Sequence, residues 1–377
     1  MNKRKKKELS SGAIAILGSG ETSPNLLSVH REMINRLKKV SNPLIVNSPF
    51  GFQENVNELS DKLAKFFNTS LNIDTQILSY KSPNEIDTVE YFKCLQRIDK
   101  SNFIFAGPGS PSYAIKIWAN TEFPKSFKKV LENDGSLVFS SAAATTLGEY
   151  ALPVYEIYKV GQDPYWINGL DILSAFGIKA SVVPHFNNKE GGNHDTRFCY
   201  MGEARFNNLR SQINSNIIGI DEHTGLIING ETSTGEVYGI GMVTLIKGEK
   251  KQQYSAGDTI SFDEFTIIED NKVVPIIKDV EGTIPISNID EVSDIITENG
   301  IDHKSINKML GKIKINLEDL EDKIKIIDPL IDLILEVRRN IRLEGKFELS
   351  DLIRDQLEKL NIEINDNEAS TDWRFKA

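Results

Sequence analysis

Small residues crowd one stretch of the chain, Gly135-Ser136-Leu137-Val138-Phe139-Ser140-Ser141-Ala142-Ala143-Ala144. An apolar run of strand length enters a turn of small side chains and leaves it through alanines, which favour helix. A nucleophile elbow needs this order: the tight turn excludes large side chains, and free amides at the start of the next helix can hold a developing oxyanion. Ser141 is the candidate nucleophile. The same string also suits a turn chosen only for close packing of helix on strand. A serine hydroxyl is a weak nucleophile at neutral pH unless a base activates it, and the chain has five histidines. His30 falls on the first helix and His303 in a charged stretch, so both read as solvated or capping residues. His185 follows Ala180-Ser181-Val182-Val183-Pro184, at the C-terminal edge of a strand and on the same rim as Ser141. His223 sits in Gly219-Ile220-Asp221-Glu222-His223-Thr224, a second strand exit where two carboxylates could orient an imidazole. A histidine at a strand end is often structural, but a serine, a histidine and a carboxylate all at strand exits favour a triad.

The elements that must position these groups alternate through the first two thirds of the chain. Ala13–Leu17, Leu44–Asn47, Asn102–Ala106, Ser136–Phe139 and Ala180–Val183 read as buried strands, each followed by Gly, Pro or Ser. Between them Leu26–Lys39, Val56–Phe67, Tyr113–Ala119, Phe127–Asn133 and Glu203–Ser211 read as helices. Strands alternating with helices imply parallel crossovers, hence an α/β fold with a doubly wound, mostly parallel sheet whose chemistry collects at strand ends. After about Gly219 the texture changes: Gly225–Asn229, Tyr238–Ile246, Thr259–Phe262 and Phe265–Ile268 read as strands that complete the sheet. Residues 274–325 read as a charged linker. The segment 326–377 reads as a helical hairpin, with apolar residues on all sides of Asp328–Leu343, a turn near Glu344-Gly345-Lys346, and a second helix capped by Ser350.

Composition bounds the function classes. The chain has 377 residues, 40% hydrophobic and 26% charged, with 44 Lys+Arg against 54 Asp+Glu and a formal charge of -10. Such a chain can build a sizeable core, which excludes wholesale disorder, and its length suits two or three domains. No apolar run reaches the roughly 20 residues of a membrane-spanning helix. An acidic balance argues against a protein that coats nucleic acid by neutralising phosphates. Residues 1–11 carry the basic run Lys3-Arg4-Lys5-Lys6-Lys7, read as a solvated tail; the apolar stretch behind it is short and lacks a cleavage pattern, so export is not expected. Cys94 and Cys199 are too few for a disulfide framework, and a reducing cytoplasm is the expected location.

With these residues in view, Ser140-Ser141-Ala142-Ala143, Pro184-His185-Phe186 and Gly219-Ile220-Asp221-Glu222-His223-Thr224 resemble the motifs of the cyanophycinase and aspartyl dipeptidase family of serine peptidases. Its elbow reads T/S-S-A-G, its histidine motif H-F and its third motif G-[IL]-D-E-x-T. The resemblance, over residues 12–273, implies a class I glutamine amidotransferase-like α/β domain and a Ser-His-Glu triad. It makes Ser141 the nucleophile, His185 the general base and Glu222 the group that orients His185. The oxyanion donors it implies are the amide of Ala142 and one from Ala106-Gly107-Pro108-Gly109-Ser110. Pro108 has no N–H, which leaves Gly109 or Gly107. Ala143 stands where the family has Gly, a departure that adds a methyl at the tightest part of the turn.

In that family the stretch after H-F is arginine-rich and holds acidic side chains of the substrate. Here Asn187-Asn188-Lys189-Glu190-Gly191-Gly192-Asn193-His194-Asp195-Thr196-Arg197 is polar with a single arginine, so the substrate pocket is expected to be rebuilt. Asn187, Asn188, His194, Asp195 and Arg197 are its candidate residues. Arg197 could hold a substrate carboxylate through its planar fork, or form a salt bridge to Asp195 or Glu203. His194, Asp195, Cys199 and Glu203 do not match metal-site spacings, so no metal and no cofactor is expected. The glycines of Leu17-Gly18-Ser19-Gly20-Glu21-Thr22 do not complete GxGxxG, since Ser23 takes the third glycine's place, and they read as rim of the active site.

The tail carries a second resemblance. Ile331–Arg342, Ser350–Leu357, Asn361–Asp366 and Thr371-Asp372-Trp373-Arg374 are similar to the C-terminal region of class I cysteinyl-tRNA synthetases, which reads R-x-x-x-R, S/A-D-x-I-R-D-x-L, G-I-x-[IL]-x-D and G-T-x-W. Asn361 replaces Gly, and Ser370-Thr371 replaces Gly-Thr. Neither HIGH nor KMSKS occurs upstream, so aminoacyl-adenylate formation is not expected. The resemblance implies tRNA recognition through Arg338, Arg339, Arg342, Trp373 and Arg374. The segment 326–377 is nevertheless acidic, with eight Lys+Arg against twelve Asp+Glu, which favours reuse of the hairpin for packing. The expected partners are a peptide or aminoacyl small molecule, with tRNA second and no membrane; homodimerisation stays open.

Overall fold

The computed structural model describes residues 10–83, 86, 88–265, 331, 334–335, 338–339, 341–342, 347–359, 362–366 and 371–375. The chain divides into two compact units, Met1–Ile284 and Pro285–Ala377. The 274–325 linker lies outside the described residues, as does most of the basic tail and the turn at 344–346. Among the described residues no helix is long and apolar enough to cross a membrane.

The first unit runs β1 (Ala13–Leu17), α1 (Leu27–Asn35), β2 (Leu44–Val46), α2 (Val56–Leu71), β3 (Gln76–Leu78), α3 (Val89–Asp99), β4 (Phe103–Ala106), α4 (Pro111–Trp118), α5 (Phe123–Glu132) and β5 (Ser136–Ser140). It continues with α6 (Ala142–Thr145), β6 (Tyr150–Ala151), α7 (Val154–Tyr158), β7 (Ile167–Asn168), β8 (Ala180–Val183), α8 (Gly202–Ser211), β9 (Asn216–Ile220) and β10 (Thr224–Asn229). Last come β11 (Thr234–Gly239), β12 (Met242–Lys247), β13 (Lys250–Ser255) and β14 (Thr259–Ser261). The main sheet has eight strands in the order β14-β11-β10-β1-β5-β4-β2-β3. β1, β5, β4, β2 and β3 are parallel to one another, and β10, β11 and β14 extend the sheet antiparallel from β1.

Both faces of this sheet are covered, and β1 shows why its residues are all apolar. Side chains alternate across a strand; Ile14 and Ile16 join one core with α3, α4 and α5, while Ala13, Ala15 and Leu17 join the other with α1 and α2. A doubly wound fold follows, as the alternation of elements predicts.

The sequence expectation of one sheet needs a correction. β12 leaves the main sheet at Ile240-Gly241 and pairs with β9, which pairs in parallel with β8, in a second sheet of order β13-β12-β9-β8. Tyr238–Ile246 is therefore two strands, not one. Gly239, at φ 98, makes the break, and a Cβ there would lie 2.2 Å from the His223 carbonyl oxygen. Phe265 ends a 3-10 turn rather than opening a strand, and 266–268 lie outside the described residues.

In the second unit, α9 (Phe347–Lys359) is followed by β15 (Ile362–Asp366) and β16 (Thr371–Phe375), an antiparallel hairpin. The described residues within 328–343 and 347–359 are helical, as the apolar spacing predicts, and the segment adds a β-hairpin that the sequence reading does not assign. Ser350 is buried inside α9 rather than capping it. Helical residues Ile331, Ile334, Leu335 and Ile341 are buried.

Candidate active site

Strand register brings the site together. β1 and β5 run side by side with Leu17 opposite Ser140, and β4 and β5 with Ala106 opposite Phe139. The loops that leave these strands, 18–23, 107–110 and the turn at Ser141, therefore share one rim. On the second sheet Val183 stands opposite Gly219, so the chain emerges two residues later at His185 and at Asp221 on adjacent strands. A Cβ at Gly219 would lie 2.5 Å from the Phe186 ring; the glycine makes room for the aromatic residue after His185.

Ser141 has φ 52 and ψ -113, the left-handed backbone of a strained strand-to-helix turn. Its Oγ is 2.8 Å from Nε2 of His185, and Nδ1 of His185 is 3.0 Å from Oε1 of Glu222. With Nδ1–H donating to the carboxylate, Nε2 is the acceptor for the serine hydroxyl, the tautomer a general base requires. The hydrogen bond from His185 holds Glu222 below the usual carboxylate range, opposed by partial burial and helped by Asn188. His185 itself adopts φ 50.

The residues proposed for oxyanion stabilisation surround the serine. The Ser141 amide donates to the Leu17 carbonyl at 3.0 Å and the Ala143 amide to the Gly107 carbonyl at 3.3 Å, which leaves Ala142 in the turn, with Gly109 or Gly107 as its counterpart in the loop after β4. Gly109 has φ 148, and a Cβ on it would lie 2.0 Å from the Pro49 carbonyl oxygen. Only glycine fits there. Ala143 is fully buried, so the core accommodates the methyl that the sequence adds to the turn.

Several residues expected to contact substrate have other partners. Asn187 Oδ1 accepts the Glu222 amide at 2.8 Å, and Asn188 Nδ2 donates to Glu222 Oε1 at 2.9 Å; the first holds the backbone of Glu222 and the second its carboxylate. Arg197 donates through Nε and a terminal nitrogen to Asp195 at 2.9 and 2.8 Å, and to Glu203 at 3.1 Å. Of its two sequence readings, the salt bridge is the one formed. That fork holds the Asp195 carboxyl far below its usual range and the guanidinium above its own. His194 stacks on Tyr158, with Nε2 3.2 Å from its hydroxyl. Tyr200, which the sequence does not single out, stands 5.9 Å from the His185 ring and 5.1 Å from Tyr158.

The other histidines and thiols settle into structural places. His30 is not solvated: it is buried against Phe66, Phe67 and Phe105, its Nε2 bonds the Glu21 carbonyl at 2.7 Å, and burial pushes its pKa down to about 4. His303 lies outside the described residues. His223 packs beneath the first loop, where a Cβ on Gly20 would lie 2.3 Å from its Nδ1. Gly18 meets Asp221 in the same way, at 2.0 Å. The glycines after β1 thus fit against the turn that carries Glu222. Cys199 is buried, and burial followed by the Glu222 charge pushes its thiol up to about 12; it stays protonated and is no nucleophile. Asp221 accepts the Met242 amide at 2.9 Å, and burial raises its pKa.

Glu21 is the residue sequence reasoning passed over. Its carboxylate accepts the Ser140 hydroxyl at 3.0 Å, and the residue lines a cleft of about 380 Å³ together with Pro108 and Gly109. The signal was its place directly after Gly18-Ser19-Gly20 at a strand exit.

In the second unit, Arg338 is buried and its Nε donates to the Ser350 carbonyl at 3.3 Å, so it is not presented to an RNA. Arg339 and Arg342 are exposed and Trp373 is half-buried. The side chain of Arg374 lies outside the described residues.

No protein-family model matches the chain. Its fold is that of a peptidase from an acI-B1 Actinobacterium solved by crystallography, with a TM-score of 0.56 and 23% identity over 68% of this chain and 98% of that one. Cysteine–tRNA ligases match over short stretches: that of Pyrococcus horikoshii is 44% identical over 54 residues, 14% of this chain and 11% of the ligase. That of Fusobacterium nucleatum is 54% identical over 44 residues, 12% and 9%. The chain thus spans about a tenth of the length of the curated relatives it matches.

Proposed function

We propose that the protein is a serine hydrolase of the cyanophycinase and aspartyl dipeptidase type that cleaves an amide or isopeptide bond in a peptide or aminoacyl conjugate. The observation that carries this reading is the continuous path Ser141 Oγ to His185 Nε2 to Glu222, at 2.8 and 3.0 Å. His185 Nε2 takes the hydroxyl proton as Oγ attacks the carbonyl carbon, and Glu222 stabilises the imidazolium. The Ala142 and Gly109 amides receive the oxyanion. Collapse of the tetrahedral intermediate expels the amine, which takes the proton from His185, and leaves an ester on Ser141. Water, deprotonated by His185, then attacks the ester and restores the serine. The fold shared with a solved peptidase supports the reading, and so does the match of three motifs in order. A fluorophosphonate probe tests it: labelling mapped to Ser141 and absent in Ser141→Ala is expected, and an unlabelled wild-type protein sinks it.

The ligase matches favour a second role for the tail, contact with a tRNA or another partner through the exposed Arg339 and Arg342. Their 44 to 54 residues suit the length of the 326–377 segment. Filter binding of bulk tRNA to the full chain, compared with Arg339→Ala/Arg342→Ala, tests it; equal retention by both proteins rejects the role.

A further inference from the structure

One cleft is lined by Phe50, Leu59, Leu63 and Phe66, with Glu21, with Pro108 and Gly109 of the loop after β4, and with Lys62 on α2. About 380 Å³ is within the range of small-ligand pockets, and its walls are mainly apolar. Glu21 is held from two sides. Buried His30 bonds its carbonyl at 2.7 Å, and the Ser140 hydroxyl bonds its Oε2 at 3.0 Å. A fixed carboxylate thus stands one residue from the nucleophile, at the mouth of an apolar cavity.

We propose that this cleft takes the acyl half of the substrate, an aminoacyl group with an apolar side chain and a free α-amino group, with Glu21 binding the ammonium. The proposal rests on the hydrolase reading for the placement of the scissile carbonyl. In an aminoacyl group the amine and the side chain share the carbon next to that carbonyl. Glu21 is bonded to Ser140, the residue before the nucleophile, and lines the cleft together with Pro108 and Gly109, so an acyl group on Ser141 has a carboxylate and an apolar cleft within its surroundings. The ammonium meets a pre-positioned carboxylate, and the side chain leaves water for Phe50, Leu63 and Phe66. An acidic side chain is disfavoured here. Glu21 repels it, Arg197 is held by Asp195 and Glu203, and Lys62 is paired with Glu58 at 2.6 Å.

The Ser141→Ala protein, full length, is titrated calorimetrically with leucinamide, N-acetylleucinamide and aspartic acid α-amide. Leucinamide is expected to bind at least about tenfold more tightly than either of the others, since each lacks one of the two contacts or brings a repulsion. Adding Glu21→Gln should bring leucinamide to the level of its acetylated analogue. Leu59→Asp, a half-exposed position that the fold tolerates more readily, should weaken leucinamide more than glycinamide. Aspartic acid amide binding as tightly as leucinamide, a preference for the free amine that survives Glu21→Gln, or no measurable binding of any amide overturns the proposal. Fluorophosphonate labelling of wild-type protein separates the two readings: a leucinamide preference without labelling removes the hydrolase and keeps the cleft, and labelling without the preference does the reverse.

Discussion

Ser141 and His185 meet at 2.8 Å, yet the two sheets that carry them hold their residues by opposite means. The serine is fixed by backbone and by the absence of side chains. Its amide donates to Leu17 of the neighbouring strand, alanines follow it, and Gly109 packs where no Cβ fits. The histidine is fixed by side chains, and the positive-φ backbone that Ser141 shows at one residue extends here over a run of three. Asn187 and Asn188 hold Glu222, and Phe198, Cys199 and Tyr200 take φ 59, 56 and 68 in succession. Each left-handed non-glycine residue costs about 1–2 kcal/mol. Two of these residues return their amides to the histidine motif, Cys199 to the His185 carbonyl at 3.2 Å and Phe198 to Phe186 at 2.9 Å. The serine side is therefore a rigid shelf, and the histidine side a network whose members can be removed one at a time.

That contrast can be broken most severely at the serine. Ser141→Ala is expected to lower hydrolysis by at least about a thousandfold, leaving only what binding and the oxyanion donors supply; its melting temperature should stay within a degree or two of wild type. Gly109→Ala should come next, with activity down about a hundredfold as the donor loop is pushed from Pro49, and with a lower melting temperature in the same sample. On the histidine side, Asn188→Leu should cost about tenfold in kcat/KM, the scale of one hydrogen bond to a charged group. The same variant sharpens the pH dependence. Glu222 is held below its ordinary range first by His185 and then by Asn188, so its stabilisation is complete above that range and is lost as pH falls through the depressed value. Without Asn188 the loss begins at higher pH, and acid unfolding followed by circular dichroism should move upward. The smallest effect is expected at Arg197→Ala: activity within about twofold, and stability lowered by about 1 kcal/mol or less, as for an exposed ion pair. A hundredfold loss of kcat/KM there would return Arg197 to the substrate.

The same contrast explains what could be read from the residues alone. The turn at Ser141 was legible because a strand-length apolar run passes through small residues into alanines, a string that suits close packing as well as an elbow, and β1, β5 and β8 were legible because strands buried on both faces are uniformly apolar. α3 carried a readable signal that the sequence reading leaves unused: Thr88 caps it, accepting the Tyr91 amide at 3.2 Å, and Tyr91, Cys94 and Ile98 are buried at helical spacing. β13 carried none, since Lys250-Lys251-Gln252-Gln253 are all exposed on an edge strand. The roles of Asn187, Asn188 and Arg197 depend on which partner lies across a loop, and an amide or a guanidinium has the same composition whether it holds a substrate or a neighbour. The tail's helices were legible from periodicity, and its β-hairpin was not. Ile362 and Ile364 are buried on alternate residues of a short hairpin, a pattern too brief to displace the helical signal before it.

β1 lies between β5, which precedes residue 141, and β10, which starts only at Thr224. Gly18 and Gly20 in the loop after it fit against Asp221 and His223. A polypeptide growing from its N-terminus therefore exposes the serine well before it contains the carboxylate that makes the serine useful, and its first loop waits for the far end of the unit to close over it. During synthesis the proposed Ser-His-Glu path is complete only once residue 222 has been made, while β10 to β14 and the second unit are still to come. A nascent chain that stalls short of Glu222 carries the elbow without the carboxylate that the proposed triad needs.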